Sequence, residues 1–320
     1  MLKYFLVFLV ALVVSIIIGL PLLKLCKKFH LSQTILHYVD KHAGKAGTPT
    51  MGGWIFMIAT TFACPFFFTG QVYLPVLVLL TMLGFGMLGF LDDFIKIKFH
   101  KNEGLKPLQK ILGQLAIATI IAVLAYFKVG STIDLFGLKL DLGLLVIPFI
   151  IFFFVAVTNA VNLTDGLDGL ATGVSGSYLL FFGLILTLIA GGSNYAVISF
   201  GLLGALVGYF LFNCFPAKIF MGDTGSLGLG GAIAALAVFS GLELIMPIIG
   251  IMFVLTVISD VLQVGYYKKT HKRIFKMAPL HHHFEKIGVH ENRIVAVYIV
   301  ITIAAGLCSL MGYLAVSGLL

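Results

Sequence analysis

Ten apolar runs, near 2–25, 52–69, 74–91, 111–127, 144–161, 174–191, 195–213, 225–241, 245–266 and 294–316, leave this 320-residue chain few folds to choose from. A helix of about 20 apolar residues crosses a bilayer because it satisfies its own backbone N–H and C=O groups where no water can. Ten such runs predict an all-α integral membrane protein, with residues 1–320 as a single polytopic domain. Composition agrees: 60% of residues are hydrophobic and 11% charged, against roughly 45–50% and about 25% in soluble domains. The first run, Tyr4 to Leu25, is longer than a signal-peptide core and lacks a small-residue cleavage site, so it reads as a retained helix. Cys26, Cys64, Cys214 and Cys308 lie in or beside apolar runs without metal-ligand spacing, and read as small hydrophobes.

With ten crossings, both termini share a side and the connectors alternate. The loops after helices 1, 3, 5, 7 and 9 hold 18 of the 21 Lys and Arg residues; only Lys3, Lys128 and Lys139 fall on the other side. The positive-inside bias therefore predicts five cytoplasmic loops and extracytoplasmic termini. The net charge of +8 is spent on that orientation, and no nucleic-acid partner is expected. The external connectors are short, except 128–143. There Ile133-Asp134-Leu135-Phe136-Gly137-Leu138-Lys139-Leu140 alternates apolar and polar residues around a glycine, as a small hairpin would.

Topology sorts the polar residues. Asp92, Asp93, Asn162, Asp165, Asp168, Asp223 and His281-His282-His283 all fall on the cytoplasmic side, although nothing in their spacing requires it. Charge beside a bilayer is expensive, so such clusters are functional hypotheses. Asp92-Asp93 ends the third run, where carboxylates oppose the helix dipole; adjacent helical residues diverge, so one could address a metal or phosphate while the other pairs with a lysine. Asn162-Leu163-Thr164-Asp165-Gly166-Leu167-Asp168-Gly169 offers hard oxygen ligands suited to Mg²⁺, or a capped turn. Asp223, within Met221-Gly222-Asp223-Thr224-Gly225, could cap the eighth helix or ligate a metal. Three consecutive histidines diverge too far to hold one zinc as an i, i+4 pair could. Contact with an anion, or orientation of a carboxylate, suits them better. Gly44-Lys45-Ala46-Gly47-Thr48-Pro49-Thr50-Met51-Gly52-Gly53 lacks the ending of a P-loop, and reads as a small-residue turn or a surface for phosphates.

Together, Gly47–Gly53, Leu91-Asp92-Asp93-Phe94, Asn162–Leu170, Phe220–Leu227 and Met277-Ala278-Pro279-Leu280-His281-His282-His283-Phe284-Glu285 carry a resemblance over nearly the whole chain. In that order they resemble the polyprenyl-phosphate N-acetylhexosamine-1-phosphate transferases; the Pro-Leu-His-His-His-Phe-Glu stretch points to the phospho-N-acetylmuramoyl-pentapeptide transferase branch. The resemblance implies a ten-helix homodimer in the bacterial plasma membrane with its active site facing the cytoplasm. It implies transfer of phospho-MurNAc-pentapeptide from UDP-MurNAc-pentapeptide to undecaprenyl phosphate, giving lipid I and UMP, with Mg²⁺ as cofactor. By motif, Asp223 looks like the metal ligand, and Asp92 and Asp93 like the acidic pair near the lipid phosphate. Gly166, Leu167, Asp168, Phe220 and Lys45 would line the nucleoside pocket. Thr50, Lys110, Asn162, Asp165, Asn213, Gln263, His281 and His283 complete the substrate-binding set, and His282 joins the catalytic acids.

Two rivals are weighed beside it. A sister enzyme would use another UDP-hexosamine. A secondary transporter would place its polar groups near the midplane among interrupted helices, whereas these lie at helix ends on one side.

Overall fold

The computed structural model describes residues 1–29, 31, 47–99, 104–135, 138–189 and 191–318. Among these residues, nine helices are long and apolar enough to cross a membrane. They are α1 (Leu2–Lys28), α3 (Tyr73–Lys98), α4 (Pro107–Lys128), α5 (Val146–Thr164), α6 (Leu170–Leu188), α7 (Ser193–Asn213), α8 (Gly222–Ser240), α10 (Ile251–Thr270) and α12 (Glu291–Val316). The second apolar run forms a shorter helix, α2 (Gly53–Ala63), which tightens into a 3₁₀ turn over Cys64–Phe67 where Pro65 removes a backbone donor. The ninth run is interrupted: α9 (Met246–Ile249) ends at Gly250 and α10 starts beyond it. The protein is thus an all-α membrane protein, with one small β-ribbon among the described residues. In that ribbon β1 (Thr132–Leu135) pairs antiparallel with β2 (Leu138–Asp141), Ile133 opposite Leu140, where alternation predicts a hairpin.

Contacts between distant residues fix which helix ends share a face. At one end Lys3 donates to Ser193, and Asn194 holds the carbonyls of Thr69 and Gln71. Tyr313 and Ser317 line a recess there with Thr132 and Asp134 of the ribbon. At the other end Phe220 N–H donates to Pro49 O, Leu105 N–H to Asp92 and Asp168 N–H to Glu291. The start of α1 and the end of α12 therefore lie on the face opposite Asp92, Asp168 and Asp223.

Helix α8 is the axis. Every residue from Thr224 to Phe239 is buried, and a helix surrounded by protein need show no amphipathic stripe. Its sequence, GDTGSLGLGGAIAALAVFS, is thin. Small residues let helix backbones approach where lipid offers no hydrophobic drive for association. Gly225 meets Gly53 of α2, and a Cβ on Gly89 of α3 would collide with the Asp223 carbonyl. Phe85 of α3 stacks on Phe154 of α5 behind α8, centroids 5.8 Å apart. The consequence is that Asp223, in the first turn of the most enclosed helix, is placed by the packing of the whole bundle.

One local expectation changes. Asp92 and Asp93 do not end their helix, because α3 continues through Lys96 to Lys98. The extra turn brings Lys96 onto the same face as the acids, at i+4 and i+3.

Candidate active site

Helix α3 supplies two carboxylates that take separate tasks. Asp93 is fully buried and faces the start of α8. Thr224 N–H and hydroxyl donate to its Oδ2 at 2.9 and 2.7 Å, and Asp223 N–H to its Oδ1 at 3.2 Å. The first turn of a helix leaves backbone N–H groups without partners; Asp93 supplies that cap from another helix. Asp92 pairs with Lys96 Nζ at 2.6 Å and accepts from Leu105 N–H at 2.8 Å. This approach explains Gly104: a Cβ there would stand 2.6 Å from Asp92 Oδ1 and 2.8 Å from the Asp92 carbonyl.

Asp223 is the meeting point. Its Oδ2 lies 2.7 Å from Lys96 Nζ and 3.1 Å from Lys110 Nζ, and its Oδ1 accepts from Asn162 Nδ2 at 2.5 Å. The same amide reaches Ser226 Oγ at 2.8 Å. Four elements thus converge: α3, the start of α4, the last turn of α5 and the start of α8. Oxygens of Asp92, Asp93 and Asp223 all lie within 4.8 Å of one another. Three carboxylates against two ammonium groups leave the formal balance negative, and carboxylates are the hard donors that a divalent cation prefers. Thr50 strengthens that fit. Its hydroxyl is buried without a hydrogen-bond partner. A Cβ on Gly222 would lie 2.6 Å from this hydroxyl and 2.5 Å from Asp93 Oδ2, which puts Thr50 beside the acids.

The loop between α5 and α6 forms the next wall. Burial, then the charges of Asp223, Asp93 and Asp168, hold the Asp165 carboxyl well above the usual carboxylate range. Asp168 is buried; its carboxylate accepts from Ala217 N–H at 2.9 Å, while its own N–H donates to Glu291 at 2.5 Å. Asn213 accepts from Thr172 and donates to the Ile219 carbonyl, at 2.7 and 3.1 Å. Asp168 and Asn213 together shape the turn before Phe220, whose backbone pairs with Pro49 and Gly52. Leu167 is buried beneath the loop.

The histidines arrive on α11 (Leu280–Lys286) and split as their spacing predicts. His281 is fully buried with neither ring nitrogen hydrogen-bonded. Burial, then His282, hold its imidazole well below the ordinary histidine range, so it is neutral. His282 Nδ1 meets Glu285 Oε2 at 3.1 Å, and His283 Nδ1 accepts from Lys276 N–H at 3.1 Å. Gly166 is the contact between the two walls: a Cβ there would overlap the His281 ring and stand 3.0 Å from His282 Nε2. Gln263 of α10 ties down the preceding turn, accepting from the N–H groups of Ile274 and Phe275 and donating to the Phe275 carbonyl at 3.1 Å. Lys45 lies outside the described residues.

Of the sequence-predicted residues, Asp92, Asp93, Lys110, Asn162 and Asp223 are therefore in one contact network, with Thr50 and Asp165 against it. Asp168, Asn213, Gln263 and His283 spend their polar atoms on backbone or on one another's loops. The expected pairing of one acid with a lysine is met by Lys96 and Asp92, but Lys96 was not counted among the site residues, although its i+3 and i+4 spacing from the two acids was the available signal. Sequence reasoning also left out Glu291, which meets Asp168 across 123 positions with no local signal.

The profile of glycosyl transferase family 4 matches residues 75–241, which span α3 to α8 and so contain Asp92, Asp93, Lys96, Lys110, Asn162 and Asp223. The chain is 42% identical over 313 residues to the phospho-N-acetylmuramoyl-pentapeptide-transferase of Clostridioides difficile strain 630, covering 95% of each protein. It is 44% identical over 306 residues to the enzyme of that name from Thermoanaerobacter sp. strain X514, covering 95% of this chain and 96% of the relative. The match to the Desulfitobacterium hafniense enzyme is 41% over 329 residues and 98% of each. The chain belongs to the phospho-N-acetylmuramoyl-pentapeptide-transferase family.

Proposed function

We propose that this protein transfers phospho-MurNAc-pentapeptide from UDP-MurNAc-pentapeptide to undecaprenyl phosphate, releasing UMP and forming lipid I. The observation that carries the reading is the meeting of Asp92, Asp93 and Asp223 with Lys96 and Lys110 from four separate elements. The reaction exchanges one phosphoanhydride for another, so catalysis is mainly positioning and charge neutralisation. Asp223 and Asp92, with Thr50 beside them, would hold a Mg²⁺ ion. When bound, the ion would neutralise diphosphate charge and stabilise the departing UMP. Lys96 and Lys110 sit where they can pass from the carboxylates to phosphate oxygens.

The lipid phosphate has a second pKa near 6 and is largely dianionic at neutral pH, so it needs little help from a general base. Direct attack is the step this site supports. Asp93 already accepts from three donors and Asp92 from two, and a carboxylate engaged in this way is a poor nucleophile. Asp93 then acts by holding Asp223 and the start of α8 in place, and Asp92 by positioning the incoming phosphate. Asp165, whose carboxyl burial and the neighbouring acids hold above the usual carboxylate range, belongs to the wall beside the phosphates in this reading. Gly166, Leu167, Asp168 and Phe220 belong to the nucleoside side of the cleft in this reading, and His282 with Glu285 to the sugar side; the family resemblance adds Lys45 as a nucleoside contact.

The basic loops put this face in the cytoplasm and the chain ends outside, by the positive-inside bias. A bacterial plasma membrane and a homodimer within it complete the reading, on the family resemblance. Incubating the purified protein with UDP-MurNAc-pentapeptide, undecaprenyl phosphate and Mg²⁺ should release UMP and yield a lipid-linked product. No UMP from correctly folded protein, or faster release with a different UDP-hexosamine, would overturn it. A phosphorylated aspartate trapped from enzyme and donor without lipid would overturn direct attack.

A further inference from the structure

The small ribbon has a polar side that the acidic centre does not use. Strand alternation sends Thr132 and Asp134 of β1 and Lys139 of β2 to one side, and Ile133 and Leu140 to the other, with Asp134 directly opposite Lys139. The polar side borders a recess of ≈ 460 Å³ formed with the ends of α6, α8 and α12, among them Leu242, Tyr313 and Val316. That volume lies in the range of small-ligand pockets. Glu243, the residue after Leu242, is buried with Oε2 unpartnered, and is near enough for the charge of Asp134 to act on its carboxyl. A buried polar atom without a partner is rare and points to a water or ligand that reaches it. The recess opens where the spans end: Val316 in its lining is exposed, as are Leu140 on the ribbon and Leu144 and Leu145 just before α5. Exposed apolar residues grouped in this way meet lipid, and a tyrosine such as Tyr313 is favoured at the membrane–water boundary.

We infer that this recess binds the headgroup of a phospholipid carrying a primary amine, with the ammonium at Asp134 and the phosphate at Lys139. Ligands of one sign fit it poorly, because a bare cation meets Lys139 and a purely anionic headgroup meets Asp134. A zwitterion satisfies both. Residues directly opposite across an antiparallel ribbon hold their Cβ atoms about 4.5–5.5 Å apart, a spacing that the two-carbon link between ammonium and phosphate can match. Opposite charges at an exposed position contribute little to stability, so Asp134 and Lys139 can turn to a ligand at small cost. The exposed leucines beside the ribbon give acyl chains a path away from the recess, which a soluble amine phosphate would not use. The site lies at the end of the bundle away from Asp223, so it stands independently of the transferase reading.

The test titrates the full-length protein in neutral detergent with short-chain phosphatidylethanolamine and reads binding by native mass spectrometry. Phosphatidylcholine of the same chain length has no N–H to donate to Asp134. It should bind about tenfold more weakly, the scale of a lost charge-assisted hydrogen bond. Phosphatidylglycerol, which carries no cation, should bind no better than phosphatidylcholine. Asp134→Asn and Lys139→Gln should each weaken phosphatidylethanolamine about tenfold, and Asp134→Asn should also abolish the preference over phosphatidylcholine. The comparison among lipids is made in wild type, so it holds whether or not a variant folds. Equal affinities for the three lipids, or an unchanged affinity in both variants, would overturn the inference. So would glycerophosphoethanolamine, the headgroup without its chains, binding as tightly as the lipid.

Discussion

Replacing Gly104 by alanine probes the centre through one hydrogen bond. The added methyl would stand 2.6 Å from Asp92 Oδ1, 2.7 Å from Cγ and 2.8 Å from the Asp92 carbonyl, where ordinary contacts begin near 3.4 Å. The carbonyl belongs to α3 and cannot move without disturbing its packing on α8, so the 104–105 turn must retreat by about 0.6–0.8 Å, the difference between those distances. Leu105 N–H then moves from 2.8 Å to about 3.5 Å from Asp92, beyond a useful hydrogen bond. A bond to a charged group contributes about 1.5–3 kcal/mol, and each 1.4 kcal/mol is a factor of ten. Gly104→Ala should therefore lower kcat about 10- to 100-fold in a UMP-release assay, with Asp92 free to pair only with Lys96. Thermal stability should change little, because the turn is at the surface of the bundle. A variant with kcat and lipid-phosphate KM within twofold of wild type would refute the role given to the Leu105–Asp92 contact.

Gly166→Ala should push α11 off the α5–α6 loop and raise donor KM; His281→Ala in the same chain should recover part of that loss, since the ring it removes is the one the methyl strikes, and strictly additive effects would count against the contact. On the opposite face, Glu243 is buried with Oε2 unpartnered. Burial, with Asp134 adding to it against a backbone hydrogen bond, pushes its carboxyl up to about 7 from an ordinary 4.5. Native Glu243 thus holds its proton while the unfolded chain releases it, so the protein loses stability as pH rises from about 4.5 to about 7, by about 3 kcal/mol at most. Glu243→Gln should flatten that slope and raise the melting temperature at pH 8 more than at pH 5; equal shifts at both pH values would contradict the burial argument.

Much of this architecture is legible in the chain because lipid imposes one rule on every span. Run length alone locates the helices, and the ribbon follows from its period-two alternation. The errors are where helices depend on neighbours rather than hydropathy. The polar turn Asp92–Lys98 is helical because Asp93 caps α8 and Lys96 bridges Asp92 and Asp223, interactions that no window over the chain can register. The break at Gly250 lies inside an unbroken apolar run and leaves no hydropathy signal. Within the site, the acids were readable as expensive charges at junctions. Their division of labour was not, because it depends on which faces α3 and α8 turn to each other, and that is set by glycines such as Gly89 and Gly225 packing without side chains.

The claim on which the account rests is that Asp92, Asp93 and Asp223 form a single centre for a divalent ion and a diphosphate. Mn²⁺, as a paramagnetic substitute for Mg²⁺, can be titrated by EPR into the protein with donor present and lipid acceptor withheld. One donor-dependent ion is expected in wild type, with affinity at least about tenfold weaker in Asp223→Asn and turnover lost with it. Unaltered Mn²⁺ binding in both Asp223→Asn and Asp92→Asn would contradict it.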